Sequence, residues 1–351
     1  MSTWEENVRK VTPYTPGEQP NRPQMIKLNT NENPYPPAPG AIRALRELET
    51  DRLRKYPDPA ASMLVEALAG YYGVGSDQVF VGVGSDDVIA MSFLTFFNSD
   101  KPVLFPDITY SFYKVWADLY RIPYDTPALD GDFNIIPEDY EKENGGVIFP
   151  NPNAPTGIYM PLEQVEGILK ANQDVVVIVD EAYIDFTDMP SAVVLQEVCR
   201  NVVVLQTLSK AWGLAGLRVG ICMADPELVI YLNKVKPPYN IGSLTQRRAL
   251  DVLRNEADFL EKVEAIKRER KRVIGFLRNL SWLEVVCDSE ANFVLIRCER
   301  FRELYEYLVE GGVIVRVRHI PPRLSCGLRI TIGTREENDL LIERLKKFGD
   351  L

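Results

Sequence analysis

Lys210 stands just beyond the apolar run Val202–Gln206, in Thr207-Leu208-Ser209-Lys210. At a crevice floor, desolvation and nearby cations would lower its amine pKa and make it a nucleophile toward a carbonyl, the setting a Schiff-base lysine needs. The alternative is an ordinary solvated lysine. Asp180 follows the aliphatic run Val175–Val179, where a buried carboxylate needs a partner. A protonated ring nitrogen would serve, and Tyr183 could bring its phenol to a ring oxygen. The bland counterparts are a cap at Asp180 and core packing at Tyr183. Gly84-Ser85-Asp86 opens a helical pattern, and free N–H groups at a helix start suit a phosphate, although Ser85 or Asp86 could equally be a plain N-cap. Arg218, in the glycine-rich stretch Gly213–Gly220, with the hydroxyls of Thr207 and Ser209, would complete a cradle for a dianion.

These residues need a frame that brings them together. From Gln78 onward the chain alternates short β-branched or aromatic runs with amphipathic stretches, the βα rhythm. The runs Val79–Val83, Val103–Phe105, Val147–Phe149, Val175–Val179, Val202–Gln206 and Val219–Met223 read as strands, with helices at Asp86–Phe97, Leu162–Ala171 and Ala192–Arg200 between them. Continuous apolar runs imply strands covered on both faces, hence a mostly parallel sheet. Ligands gather beyond the carboxyl ends of such strands, which is where Gly84–Asp86, Asp180–Tyr183 and Thr207–Lys210 fall.

After Pro237-Pro238 the rhythm changes. A charged helical stretch from Leu244 to Asn279 leads into strands at Glu284–Cys287, Asn292–Arg297, Val313–Val317 and Leu328–Ile332, with helices at Phe301–Glu310 and Arg335–Phe348, an α+β pattern. The first forty residues are rich in proline and read as an extended arm.

Composition narrows the function classes. The 351 residues are 46% hydrophobic and 26% charged, within the globular range. A formal charge of −10 argues against nucleic acid or an anionic membrane as the main partner. No apolar run reaches transmembrane length and the start lacks a signal-peptide order, so a cytoplasmic protein is expected. Five scattered cysteines without a C-x-x-C pair suggest neither a disulfide framework nor a zinc site, and one histidine, His319, cannot build a His-based metal centre, so no metal is expected.

Lys210 in Ser-Lys-Ala-Trp-Gly-Leu-Ala-Gly-Leu-Arg, Asp180-Glu181-Ala182-Tyr183 and Asn151-Pro152-Asn153-Ala154-Pro155-Thr156-Gly157, in this order, resemble the fold type I, class II aminotransferases that use pyridoxal 5′-phosphate. The resemblance spans essentially the whole chain. Further segments resemble the histidinol-phosphate aminotransferase family: Pro13–Gly17, Leu28–Pro34, Lys55–Asp58, Gly82–Asp86, Lys236–Asn240 and Leu328–Thr334. It implies an α/β fold with a large domain built on a mostly parallel seven-stranded sheet between helices, plus a smaller α+β C-terminal domain. Residues 1–35 would be an arm packing with the small domain and a partner subunit, 36–240 the large cofactor domain and 241–351 the small domain.

The resemblance also implies roles. Lys210 would form the Schiff base and shuttle the proton of a ping-pong transamination between L-histidinol phosphate and 2-oxoglutarate, giving imidazole-acetol phosphate and L-glutamate. Asp180 would pair with the pyridinium nitrogen, Tyr183 with the phenolic oxygen, and Tyr110 with the ring face. Gly84, Ser85, Asp86, Thr207, Ser209 and Arg218 would hold the phosphate. Tyr56 would reach it from the neighbouring subunit of a homodimer. Arg329 would clamp the glutamate carboxylate and Arg316 would help bind the substrate phosphate, with Tyr14, Asn31 and Asn292 as further substrate-side candidates. Arg316 could instead be a surface residue beside Arg318 and Arg323.

The chain departs from the family pattern at Ala154, where an asparagine usually bonds the phenolic oxygen, so that Asn153, or Tyr183 alone, would have to supply the bond. Gly242 and Trp212 depart as well. Aromatic amino-acid transamination, threonine-phosphate decarboxylation and a non-catalytic binding or regulatory role on the same frame are the alternatives.

Overall fold

The computed structural model describes residues 8–12, 18, 25–37, 39, 42 and 53–350. Strand β1 (Ile26–Lys27) stands apart from the main sheet of the described residues. That sheet contains β2 (Val79–Gly82), β3 (Val103–Leu104), β4 (Tyr124–Asp125), β5 (Gly146–Pro150), β6 (Val177–Asp180), β7 (Val202–Thr207) and β8 (Gly220–Ala224), in the order β2-β8-β7-β6-β5-β3-β4. Of these strands β8 alone runs antiparallel to its neighbours, so the sheet is seven-stranded and mostly parallel, as expected.

Successive strand residues point to opposite faces, and both faces are covered. Ile148, Ile178, Val203 and Leu205 join one core, while Val147, Phe149, Val177, Val179, Val202 and Val204 join the other. The first core is closed by Val88, Ile89 and Phe93 of α2 (Ser85–Phe96), Tyr113 and Ala117 of α3 (Phe112–Tyr120) and Leu232 of α5 (Pro226–Val235). The second is closed by Leu64 and Leu68 of α1 (Ser62–Tyr72) and by Val165, Ile168 and Leu169 of α4 (Leu162–Ala171). Helix α6 (Ser243–Leu253) packs on α1, and α7 (Glu256–Leu277) follows it.

A second, antiparallel sheet joins β9 (Glu284–Val285), β10 (Phe293–Arg297), β12 (Arg316–Ile320) and β13 (Leu324–Thr331) in the order β12-β13-β10-β9. Helices α8 (Phe301–Glu310) and α9 (Arg335–Gly349) accompany it. Strand β11 (Val313–Ile314) leaves this sheet and pairs in parallel with β1, Ile26 opposite Val313.

Several local expectations are corrected. The segment from Leu244 to Asn279 is two helices, because Arg254 ends α6 and Asn255, with ψ of 44°, is not helical. Ala192–Glu197 forms a 3₁₀ helix instead of an α-helix. The adjacent β-branched Val193 and Val194 disfavour the α form, and Ser191 caps the turn by accepting from the Val193 N–H. Val313–Val317 is divided between two sheets. Pro39, within the first forty residues read as extended, is helical. Strand β4 went unread because only two residues form it.

Candidate active site

Strands β2, β5, β6 and β7 point the same way, so Gly82, Pro150, Asp180 and Thr207 end at one edge of the sheet. The turn after β7 delivers Lys210, whose Nζ donates to the Thr30 carbonyl at 3.1 Å and lies 5.9 Å from the Tyr183 ring centroid. Asp180 is buried as the last residue of β6. Its Oδ2 accepts from the Tyr113 hydroxyl at 2.7 Å and its Oδ1 from the Ala182 N–H at 3.2 Å. Burial pushes the Asp180 carboxyl up to about 6 against the pull of these two donors, while Asp86 adds to the rise and Lys210 opposes it. A carboxylate has about four lone-pair sites, so acceptor capacity remains for a protonated ring nitrogen. That environment fits the pyridine of the expected cofactor.

The phosphate-cradle residues also converge. Gly84 precedes α2 at φ +85°, and a Cβ there would come within 2.1 Å of Arg218 NH2. Gly220 opens β8 against the same turn, where a Cβ would lie 2.3 Å from the Gly84 carbonyl carbon and 2.6 Å from Ser85 N. Both positions need glycine for close approach. Thr207 Oγ1 and Ser209 Oγ are 2.9 Å apart, and Ser209 N–H donates to Thr207 Oγ1 at 3.1 Å. Tyr110 donates its hydroxyl to Asp86 Oδ1 at 2.7 Å, which sets the ring beside the helix start. Backbone N–H groups, two hydroxyls and a guanidinium form a donor set suited to a phosphate dianion.

On the opposite wall, Arg316 of β12 and Arg329 of β13 are direct cross-strand partners. Arg329 is buried, donates to the Asn29 carbonyl at 2.9 Å and lies 5.3 Å over the Phe293 ring, whose edge meets Tyr183. Arg316 is half-buried on the same alternating face as Arg318 and Ile320. Asn31 donates to the Tyr183 hydroxyl at 2.9 Å, and Asn292 donates to the Asn31 carbonyl at 3.1 Å. Tyr56 is 82% exposed and stacks on Tyr239 with ring centroids 4.6 Å apart. Tyr14 lies outside the described residues.

Two placements differ from what the sequence suggested. Asn153 is spent on the loop before α3: its Nδ2 donates to the Ile108 carbonyl at 3.0 Å and its Oδ1 accepts from Thr109 at 3.0 Å. Asn31 faces Tyr183 instead of open pocket. Tyr113, Gly220 and Thr331 were missed. Tyr113 follows Tyr110 by nearly one helical turn, the one sequence signal that could have marked it.

Residues 23–345 match the family described as Aminotransferase class I and II. Histidinol-phosphate aminotransferase 1 of Hydrogenovibrio crunogenus is 47% identical over 349 residues, covering 97% of this chain and 96% of the relative. The crystal structure of histidinol-phosphate aminotransferase from Clostridium acetobutylicum superposes with a TM-score of 0.85 at 24% identity, over 93% of this chain and 99% of that one. That from Sinorhizobium meliloti, in complex with pyridoxal-5′-phosphate, does so with a TM-score of 0.84 at 23% identity, over 93% and 91%. At those identities the two structures speak for the fold, and the near-half identity over full length speaks for descent. A lysine, a buried aspartate and a glycine-bounded set of hydrogen-bond donors at one sheet edge agree with both, and the chain belongs to the class I and II aminotransferase family, in its histidinol-phosphate aminotransferase branch.

Proposed function

We propose that the protein is a pyridoxal-phosphate-dependent transaminase that converts L-histidinol phosphate and 2-oxoglutarate to imidazole-acetol phosphate and L-glutamate by a ping-pong cycle. The observation that carries this reading is the buried Arg329, which lies over the Phe293 ring that meets Tyr183 beside Lys210, with Arg316 as its cross-strand partner. Two arginines opposite each other on neighbouring strands suit a pocket that must take a phosphate and a carboxylate in turn.

When bound, pyridoxal phosphate supplies a carbonyl that condenses with amines and a ring that accepts electron density from the attached carbon. The chain's own residues do the rest. Lys210 holds and moves the proton at the reacting carbon, as an amine tethered beside it. Asp180 keeps a proton on the ring nitrogen, and Tyr183 donates to the phenolic oxygen. Tyr110 would supply an aromatic face for the ring. Gly84, Ser85 and Asp86, with Thr207, Ser209 and Arg218, hold the phosphate. Arg329 clamps the glutamate carboxylate and Arg316 takes the substrate phosphate.

The exposed Tyr56 supports a homodimer in which each subunit reaches the phosphate of the other. We divide the chain into an arm at 1–35, a cofactor domain at 36–240 and a small domain at 241–351, and place the enzyme in the cytoplasm; no helix among the described residues is long and apolar enough to cross a membrane.

A single-turnover experiment tests the reading. Cofactor-saturated protein is mixed separately with L-histidinol phosphate, L-glutamate and L-phenylalanine, and cofactor absorbance and released oxo product are followed. Fast reaction with the first two and slow reaction with phenylalanine is the expected outcome. A preference for phenylalanine makes the protein an aromatic transaminase, and loss of carbon dioxide from threonine phosphate makes it a decarboxylase.

A further inference from the structure

Asn31 holds a left-handed backbone conformation, φ 57°, which asparagine tolerates better than most residues. Its N–H donates to Thr331 Oγ1 at 3.1 Å, and Thr331 returns its hydroxyl proton to Asn31 Oδ1 at 3.0 Å. That exchange fixes the amide, so Nδ2 is the end that faces Tyr183 and donates to its hydroxyl oxygen at 2.9 Å. Asn31 is 1% exposed and Tyr183 8%, so water competes little for this bond. A phenol has one proton. With a lone pair of its oxygen taken by Asn31, Tyr183 keeps that proton for an acceptor elsewhere. Ala154 has no polar side-chain atom to donate, and the Asn153 amide is committed to Ile108.

We propose that Asn31 is a positioning residue that acts through Tyr183, turning the phenol O–H outward onto the phenolic oxygen of the bound cofactor. It thereby supports a charge that Ala154 leaves without a donor. The inference rests on the pyridoxal-phosphate reading. The charged groups facing this cluster are Lys210 after β7, Asp180 at the end of β6, Arg329 on β13 and Glu32, which pairs with Lys27 at 2.8 Å. The neutral variants below change none of them.

The test is the pH midpoint of the absorbance of the cofactor-loaded protein. Asn31→Gly removes the amide without straining the backbone, and it is expected to raise the midpoint by about half a pH unit or more, because the phenolate loses stabilisation. In a Tyr183→Phe background, Asn31→Gly is expected to add nothing further, since the two side chains act as one unit. Thr331→Val, which removes the hydroxyl that orients Asn31, moves the midpoint the same way by less.

An unmoved midpoint in loaded Asn31→Gly protein, or a shift that adds in full to that of Tyr183→Phe, overturns the proposal. If Asn31→Gly fails to fold, an unmoved midpoint in Thr331→Val does the same. A wild-type protein that takes up no cofactor overturns the functional reading itself, which keeps the two failures apart.

Discussion

At the residue scale the pocket is decided by a few hydrogen bonds. On the proposed reading, Lys210→Ala removes both the covalent anchor and the base. Turnover is expected to fall by at least about 10²–10⁴-fold, and reduction with borohydride followed by peptide mass analysis should find no trapped cofactor. A cofactor still trapped at wild-type yield would move the nucleophile elsewhere. Tyr113 is subtler, since its hydroxyl donates to Asp180 at 2.7 Å and lowers the proton affinity that burial raises. Tyr113→Phe withdraws that donor and lets the Asp180 carboxyl rise above about 6. The expected result is a rise of the acid limb of the pH–rate profile at nearly unchanged thermal stability. An unshifted acid limb would show that Tyr113 only packs.

At the element scale, register and close approach carry the function. Strand β8 begins at Gly220 only 2.3 Å, measured from a hypothetical Cβ, from the Gly84 carbonyl carbon. Gly220→Ala must therefore push backbone against backbone. We expect a loss of about 1–3 kcal/mol in stability and a weaker cofactor affinity, read by fluorescence titration. An unchanged affinity would mean that the Gly84–Asp86 turn does not hold the phosphate. In the second sheet, the β12–β13 register sets Arg316 beside Arg329. Arg316→Ala should depress the reaction with histidinol phosphate more than that with phenylalanine, and equal losses would remove the phosphate role from Arg316.

At the scale of the whole molecule, the main sheet leaves carboxylates dry at one edge. Burial raises Asp180 to about 6 and Glu181 to about 7, the latter against donors from Ser191, the Ala192 N–H and Gln206. Both folded values lie above the ordinary values of 3.8 and 4.5, so between those limits the folded chain binds more protons than the unfolded one. Stability of the cofactor-free protein is then expected to fall as pH rises through that window. If Asp180 pairs with the ring nitrogen as proposed, bound cofactor reverses the Asp180 part, because a ring N–H⁺ favours the carboxylate. The gain in Tm on loading should accordingly be larger near about pH 7.5 than near about pH 5, and Asp180→Asn should shrink the difference. A gain independent of pH would detach Asp180 from the ring nitrogen.

The sequence by itself determined the main frame and the location of the chemistry. Both rest on short-range pattern: β-branched runs too short for helices, and polar residues just past their ends. Thus the strands ending near Asp180 and Thr207 and helix Leu162–Ala171 were readable from the chain alone. What only the tertiary structure decided are contacts between residues far apart in sequence. The bond from Asn31 to Tyr183 spans 152 residues and that from Tyr113 to Asp180 spans 67. The commitment of Asn153 to the Ile108 loop and the division of Val313–Val317 between two sheets belong to the same class. Each depends on which strands become neighbours and in what register, and a shift of one residue turns a side chain to the opposite face.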